Sequence, residues 1–450
     1  MYHRITLAAV LWSALFQAPA TTPQRPDLTV ERDLPSLLET YKMLHASPEL
    51  SHHEVKTSAF VARELQSLGY AVSEGVGKYA RPDWKGYGVV GVLKNGAGPT
   101  VLIRTDLDAL PVEEKTGLPY ASTVRTKDDA NRDVGVMHAC GHDLHITTFL
   151  GTARVLAARK GEWTGTLLMV AQPAEETIDG ARAMLADALY ARFGKPDYVL
   201  ALHVNAELEA GKVGYTTGYF LASANTVEII VRGVGGHGSR PEAARDPIVL
   251  AAQIVLALQT IVSRENSPLD PAVISVGSIH GGTKANIIPD EVRLQLTVRA
   301  YKEQVRQRIL ASIGRIANGV AVAAGMPADR LPVVEVSETE AAPATYNDPP
   351  LTERLAGVLR TSLGADNVVP WAPIMSSEDF GRFALDGNQL PSFMFWLGAA
   401  DPALLADARS RGVPPPGLHS SLFAPMPEPA IRTGVSAMTA AVMAIVGKAR

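Results

Sequence analysis

The chain has 450 residues, 46% hydrophobic and 20% charged, with a net charge of −4. That is the make-up of an ordinary soluble globular protein of two or three domains. It offers no excess of basic charge for nucleic acid or an anionic membrane surface.

His3 and Arg4 precede an apolar run, 5–16, and then Ala18-Pro19-Ala20, a small-x-small cleavage pattern. Residues 1–20 therefore read as a secretory signal peptide, too short to span a bilayer. The mature protein is expected to be exported, periplasmic or secreted, and free of the membrane. Cys140 is the only cysteine and forms no internal disulfide. A lone thiol in an exported protein points to a chemical task for Cys140.

Helical periodicity covers 34–43 and 54–68, the second closed by Gly69. A short strand at 70–73 runs into an aperiodic loop, 75–88. The β-branched runs 88–93 and 100–105 flank Asn95-Gly96, a hairpin signal. The second run ends in Arg104-Thr105-Asp106-Leu107-Asp108. Two Asp one residue apart at a strand's carboxyl end are candidate ligands or groups that orient ligands; an acid-rich turn is the plain alternative. Residues 123–134 read as an exposed loop.

Next comes Met137-His138-Ala139-Cys140-Gly141-His142-Asp143-Leu144-His145. A thiolate and an imidazole are both good ligands for a borderline-soft divalent metal. One residue apart, they share a side on an extended loop but not on a helix. Gly141 lets the loop bend, and Asp143 stands where an N-cap would, ahead of helix-spaced Ile146, Leu150, Ala153 and Ala157. The alternative is a buried thiol beside solvated histidines.

The apolar run 166–171 ends in Gln172-Pro173-Ala174-Glu175-Glu176, and the run 199–202 ends on His203. Adjacent acids on an extended chain point to opposite sides. Three strand ends carrying Asp/Asp, Glu/Glu and His match the place where open α/β sheets bind ligands. Strands alternating with helices predict a mostly parallel sheet buried on both faces. From about residue 221 the pattern changes. Strand 226–232 leads to a Gly-rich loop with His237, helix 247–262, strand 272–279, a Gly281-Gly282-Thr283 turn before Asn286, strand 291–299, helix 302–324 and strand 331–336. That is the ferredoxin-like order. It reads as a domain inserted over 221–340 into a catalytic domain made of 28–220 and 341–450. The predicted fold is thus α/β, a mixed, mostly parallel catalytic sheet with an inserted ferredoxin-like α+β lid or dimerisation domain. The chain closes with helix 351–363, a polar loop 375–380, strand 393–397, a Pro-rich lead into His419 and helix 430–446.

The motifs that carry a resemblance are Asp106-x-Asp108-Ala-Leu-Pro, Met137-His-Ala-Cys140-Gly-His142-Asp143, Gln172-Pro-Ala-Glu175-Glu176, Leu202-His203, Gly236-His237-Gly, Asn286-Ile-Ile-Pro289, Ser377-Glu378-Asp379-Phe380 and Leu418-His419-Ser420. In this order, they make the chain resemble the aminoacylase and carboxypeptidase-G-like metallopeptidase family. Within it, the match is to the amidohydrolase branch of hippurate hydrolases and plant auxin-conjugate hydrolases. The resemblance implies two divalent ions per chain, zinc or manganese, with cobalt or nickel as alternatives. Their implied ligands are Cys140, His142, Glu176, His203 and His419, the thiolate bridging. It implies Glu175 as general acid/base and His237 as a lid histidine that donates to an oxyanion, sometimes from a partner subunit. Asn286 and Arg299 are implied to hold the substrate's carboxylate, and Asp108 and Asp143 to orient ligand histidines. The expected activity is hydrolysis of the amide bond in N-acyl amino acids, small-molecule substrates, by a homodimer joined through the inserted domain. A dipeptidase or carboxypeptidase with the same site is the second reading, and a conjugate-binding protein without turnover the third. Loops 78–86 and 126–133 look longer than the family's, and Met375-Ser376-Ser377 stands where Met-Gly-Ser is expected. The two loops bear on substrate choice.

Overall fold

The computed structural model describes residues 28–384 and 390–448; the expected leader lies outside them. Its central layer is an eight-stranded sheet. The order is Ala71–Val76, Gly88–Asn95, Gly165–Gln172, Thr100–Asp106, Tyr198–Glu209, Ser392–Ala400, Val213–Tyr215 and Val368–Pro370. The four strands from Gly165–Gln172 to Ser392–Ala400 run parallel. Both faces of these strands are buried, so they read as unbroken apolar runs rather than alternating ones. One face packs on the helices Leu28–His45, Val55–Ser67, His142–Ala158, Pro349–Leu363 and Pro427–Val446. The other carries Gly180–Ala186 and Leu189–Phe193 together with Phe380 and Phe383.

The expected hairpin about Asn95-Gly96 does not form. Gly165–Gln172 enters between the two strands, antiparallel to the first and parallel to the second. The turn is real, with Gly96 at φ 83°, but it steps over one strand position. Gly98 and Gly165 pass so closely that a Cβ on Gly98 would lie 2.9 Å from Gly165. The loop at 123–134 contains a small exposed hairpin, Arg125–Lys127 with Asp133–Gly135. The strand expected to stop before His203 continues to Glu209, because its second half still pairs with Ser392–Ala400.

The second sheet is Ala272–Gly281, Glu291–Ala300, Ser223–Arg232 and Val333–Ala342, antiparallel throughout. In chain order that is second, third, first, fourth, the ferredoxin-like arrangement. Helices Pro247–Thr260 and Glu303–Ala323 cover one face only, which is why Ser223–Arg232 and Glu291–Ala300 alternate between buried and open positions. This layer meets the larger sheet where Ala222 N–H donates to the Ser376 carbonyl (2.9 Å) and Arg299 Nη1 to Ser377 Oγ (2.6 Å).

Candidate active site

The carboxyl ends of the parallel strands converge on Cys140. Gly141, not Asp143, is the N-cap of the helix His142–Ala158, in a left-handed conformation at φ 77°. A Cβ there would lie 2.5 Å from Val204 Cγ2, so only glycine lets the metal-type loop press onto the strand. His142, the first helical residue, donates from Nδ1 to the Asp108 carbonyl (2.8 Å). That fixes its tautomer and leaves Nε2 buried without a hydrogen-bond partner among the described residues. His203 donates from Nδ1 to the Val204 carbonyl (2.8 Å) and brings Nε2 to 3.5 Å from Cys140 Sγ. His419 arrives from the far end of the chain, at φ 65°. Its N–H donates to the Ala139 carbonyl (2.8 Å), and its Nε2 is 3.3 Å from Cys140 Sγ. The expected extended run at Glu175-Glu176 is instead a tight turn, with left-handed Ala174 and Ile178 at its ends. The turn lets both carboxylates face His142 Nε2, each at 3.8 Å.

Ligand-type atoms thus form overlapping groups within 4.8 Å. Cys140 belongs with His142 and His203, and again with Glu176 and His419. Two ligands about 2.0–2.3 Å from one tetrahedral ion are about 3.5 Å apart, close to the two Cys140–histidine separations. The charge balance fits as well. Burial, then Glu378 and Glu176, push Glu175 well above the usual carboxyl range. Burial brings Glu176 up to about 7 and raises the Cys140 thiol. Burial opposes protonation of His142, yet Asp106 and the Asp108 contact hold it up to about 10. The cluster carries more negative charge than its own residues balance, and a bound cation reverses this protonation pattern. The donor set and its unpartnered atoms, His142 Nε2, Glu176 Oε1 and Asp108 Oδ1, therefore fit a pair of divalent ions.

A scan of the sequence against protein families matches residues 102–410 to Peptidase family M20/M25/M40. The chain belongs to this family. It is 38% identical to a hippurate hydrolase of Campylobacter jejuni over 76% of its length and 82% of the relative's. It is 35% identical to thermostable carboxypeptidase 2 of Saccharolobus solfataricus, over 80% and 85%. Among solved structures, the YXEP protein of Bacillus subtilis, titled a dinuclear metal binding peptidase from the M20 family, superposes with a TM-score of 0.71. It is 26% identical and covers 92% of this chain and 99% of its own.

Several residues of this M20 chain lie elsewhere than the sequence implied. Asp143 does not orient a ligand histidine; its Oδ2 accepts from His45 Nδ1 (2.7 Å). Asp108 acts on His142 chiefly through its main-chain oxygen, while its Oδ2 accepts from Ser51 Oγ (2.7 Å) and Glu176 N–H (3.0 Å). Asp106 takes the orienting part next door, accepting from His145 Nδ1 (2.7 Å). His145 Nε2 in turn accepts the Val204 N–H (2.9 Å) beside His203. Arg104, at the end of the same strand as Asp106, carries no sequence signal of its role. Fully buried, it binds Asp106 (2.7 Å), Glu378 (2.7 Å) and Asp379 (3.3 Å), and Glu378 lies against Glu175. Arg299 reaches this side through Ser377. His237 and Asn286 do not. They are exposed at the lid's far end, where Gly236–His237 pairs with Ile287–Ile288. Eight residues of strand, about 26 Å at ~3.3 Å each, separate that end from Arg299, so Asn286 and Arg299 form no joint clamp within one chain.

Proposed function

We propose that the protein hydrolyses the amide bond of N-acyl amino acids at this site. The observation that carries the reading is a set of overlapping groups that joins buried Cys140, His142 and His203 to Glu176 and the exposed His419, with Glu175 against them. Those five residues would hold the two ions. When bound, divalent ions acidify water and polarise an amide carbonyl. Glu175 takes a proton from the attacking water and hands it to the departing nitrogen. Arg299, a planar fork anchored on Ser377 beside Glu378, holds the substrate's carboxylate.

The test is a panel of N-acyl amino acids, their carboxamides and dipeptides, supplied with zinc, manganese, cobalt or nickel. The N-acyl acids are expected to turn over with about two metals bound per chain, and chelation to stop it. Cys140→Ser loses metal and rate together. Amidating the carboxylate lowers kcat/KM at least roughly tenfold, the size of one charged hydrogen bond, and Arg299→Ala erases that preference. Full activity in metal-free protein refutes the site. Dipeptides preferred over every N-acyl acid favour the peptidase reading, which the carboxypeptidase relative supports.

The lid supports a homodimer. Leu256 is 73% exposed on the helix Pro247–Thr260, and Ile279 is 58% exposed on the edge strand Ala272–Gly281. Apolar surface at an open sheet edge invites pairing with a second copy. A pair joined there lets His237 and Asn286 of one subunit serve the other's cluster. Mixing inactive His237→Ala with inactive Glu175→Gln protein is then expected to restore activity once subunits exchange. Demonstrated exchange without rescue rules this out.

A further inference from the structure

We propose that Trp84 forms the acyl-side wall of the active site and favours planar aromatic acyl groups, an inference that rests on the amidohydrolase reading above. The unusual loop 78–86 folds back by a turn in which Trp84 N–H donates to the Arg81 carbonyl (3.2 Å). This seats the indole on His52, the ring centroids 3.6 Å apart and 21° from parallel. Tyr79 stands edge-on to both rings, at 4.8 Å from His52 and 5.7 Å from Trp84. The Arg81 guanidinium lies 4.4 Å over the indole and is itself held by Asp83 (2.9 Å). Two groups that close cannot share one face, so His52 takes one and Arg81 the other. Only the indole edge is left for a guest. An aromatic edge carries partial positive charge and prefers to meet the face of another ring.

The stack is laced to the reacting centre. His52 is itself in the left-handed region, at φ 66°. Its Nε2 lies within hydrogen-bond distance of Thr177 Oγ1 (3.3 Å), and Thr177 follows Glu175 and Glu176 directly. Ser51 Oγ and Glu176 N–H share the same Asp108 oxygen. Burial lowers the His52 pKa to about 4, so the ring stacks as neutral imidazole beneath a tryptophan that already faces a cation. The second unusual loop closes on the same place, with Asp129 3.7 Å from His53 Nε2. Three buried polar atoms here, His52 Nδ1, Glu54 Oε2 and the Tyr79 hydroxyl, have no partner within the described residues. Arg299 approaches Glu175 by way of Ser377 and Glu378, through different residues. In an N-acyl amino acid, the acyl group lies across the scissile bond from the carboxylate. A substrate anchored at Arg299 therefore turns its acyl group to a flank free of Arg299, where this wall stands.

The experiment compares N-benzoylglycine with N-acetylglycine in metal-loaded wild type, Trp84→Ala and Trp84→Phe. Trp84→Ala is expected to lower kcat/KM for the benzoyl substrate roughly tenfold, leave the acetyl substrate within about twofold, and be partly rescued in Trp84→Phe, as loss of an aromatic contact requires. The acetyl rate also shows that the variant is folded. A second readout uses metal-free protein, whose fluorescence is titrated with benzamide and with acetamide. Benzamide is expected to give a saturable change that acetamide does not give and that Trp84→Phe lacks. Equal losses on both substrates, no loss on either, or the same benzamide signal in Trp84→Phe would each overturn the proposal. If no N-acyl amino acid turns over in wild type, the hydrolase reading has failed, and the benzamide titration still decides the wall.

Discussion

Glu175→Gln is expected to lower turnover by roughly 10²–10⁴, the range for general acid–base work, while metal content stays at the wild-type level. The side chain is buried between two regions of negative charge. Glu378 and Asp379 lie on one side and Glu176 on the other. Glutamine keeps the shape and the burial but neither takes nor returns a proton. Glu176→Gln is expected to behave differently, losing metal first and rate as a consequence. Glu176 belongs to the group with Cys140 and His419, its Oε2 lying 3.6 Å from His419 Nε2, whereas Glu175 is absent from that group. Metal analysis beside kcat separates the two. Metal lost from Glu175→Gln and kept in Glu176→Gln would mean that the roles are exchanged.

The strand-end residues were legible because a buried parallel sheet writes itself as unbroken apolar runs and presents its ligands at one end. Asp106, Asp108, Glu175, Glu176 and His203 all follow or fall within such runs, and the structure gathers Glu176 and His203 about Cys140 and the others about His142. The ferredoxin-like order of the lid could be read for a similar reason, since one covered face leaves a two-residue alternation. What failed was whatever depends on a partner distant in sequence. Asn95-Gly96 is a genuine turn, but nothing local to it reports that Gly165–Gln172 will enter beside it. Asp143 looked like a group serving a neighbouring histidine, yet its partner, His45, is 98 residues away. The turn at Glu175-Glu176 relies on Ala174 and Ile178 at positive φ, a conformation that neither residue type advertises. Arg104 resembled any charge on a strand, and its three carboxylate partners are spread from Asp106 to Asp379.

The reading of Asn286 with Arg299 failed for a physical reason of its own. Asn286 precedes the strand Glu291–Ala300 and Arg299 lies near its end; they look close in sequence, but an extended strand holds its two ends apart. A helix between them would have roughly halved that separation, at about 1.5 Å per residue against ~3.3 Å. The separation assigns the two residues to different tasks. Arg299 lies beside the large sheet of its own chain, and Asn286 travels with His237 on the lid's far end. This division gives the subunit-mixing experiment its force, because a lid that served its own cluster would need no partner.

His45→Ala is expected to destabilise the fold by about 3–5 kcal/mol, the cost of stranding buried charges by removing their partner. His45 ends the helix Leu28–His45 and lies between Asp143 (2.7 Å) and Glu114 (3.1 Å), all three side chains at most 1% exposed. Burial opposes the charged ring, but the hydrogen bonds it donates to Asp143 and Glu114 outweigh that and raise its pKa to about 10. Burial likewise works against both carboxylates, and their bonds to His45 still leave them below their ordinary values. The signs follow by linkage. A ring with a raised folded-state pKa contributes fully below its unfolded value, about 6.5. That contribution fades as pH rises and is spent once pH passes the folded value, about 10. The two depressed carboxylates contribute above their unfolded range, near 4, and lose their share as pH falls below it. Wild type should therefore lose stability steadily from about pH 6.5 upward. His45→Gln, which keeps hydrogen-bonding groups but no titrating ring, should start lower and decline less. Chemical denaturation of metal-free protein at several pH values between these limits reads the difference without any contribution from bound ions. Parallel curves for wild type and His45→Gln would show that the ring is neutral in the folded protein.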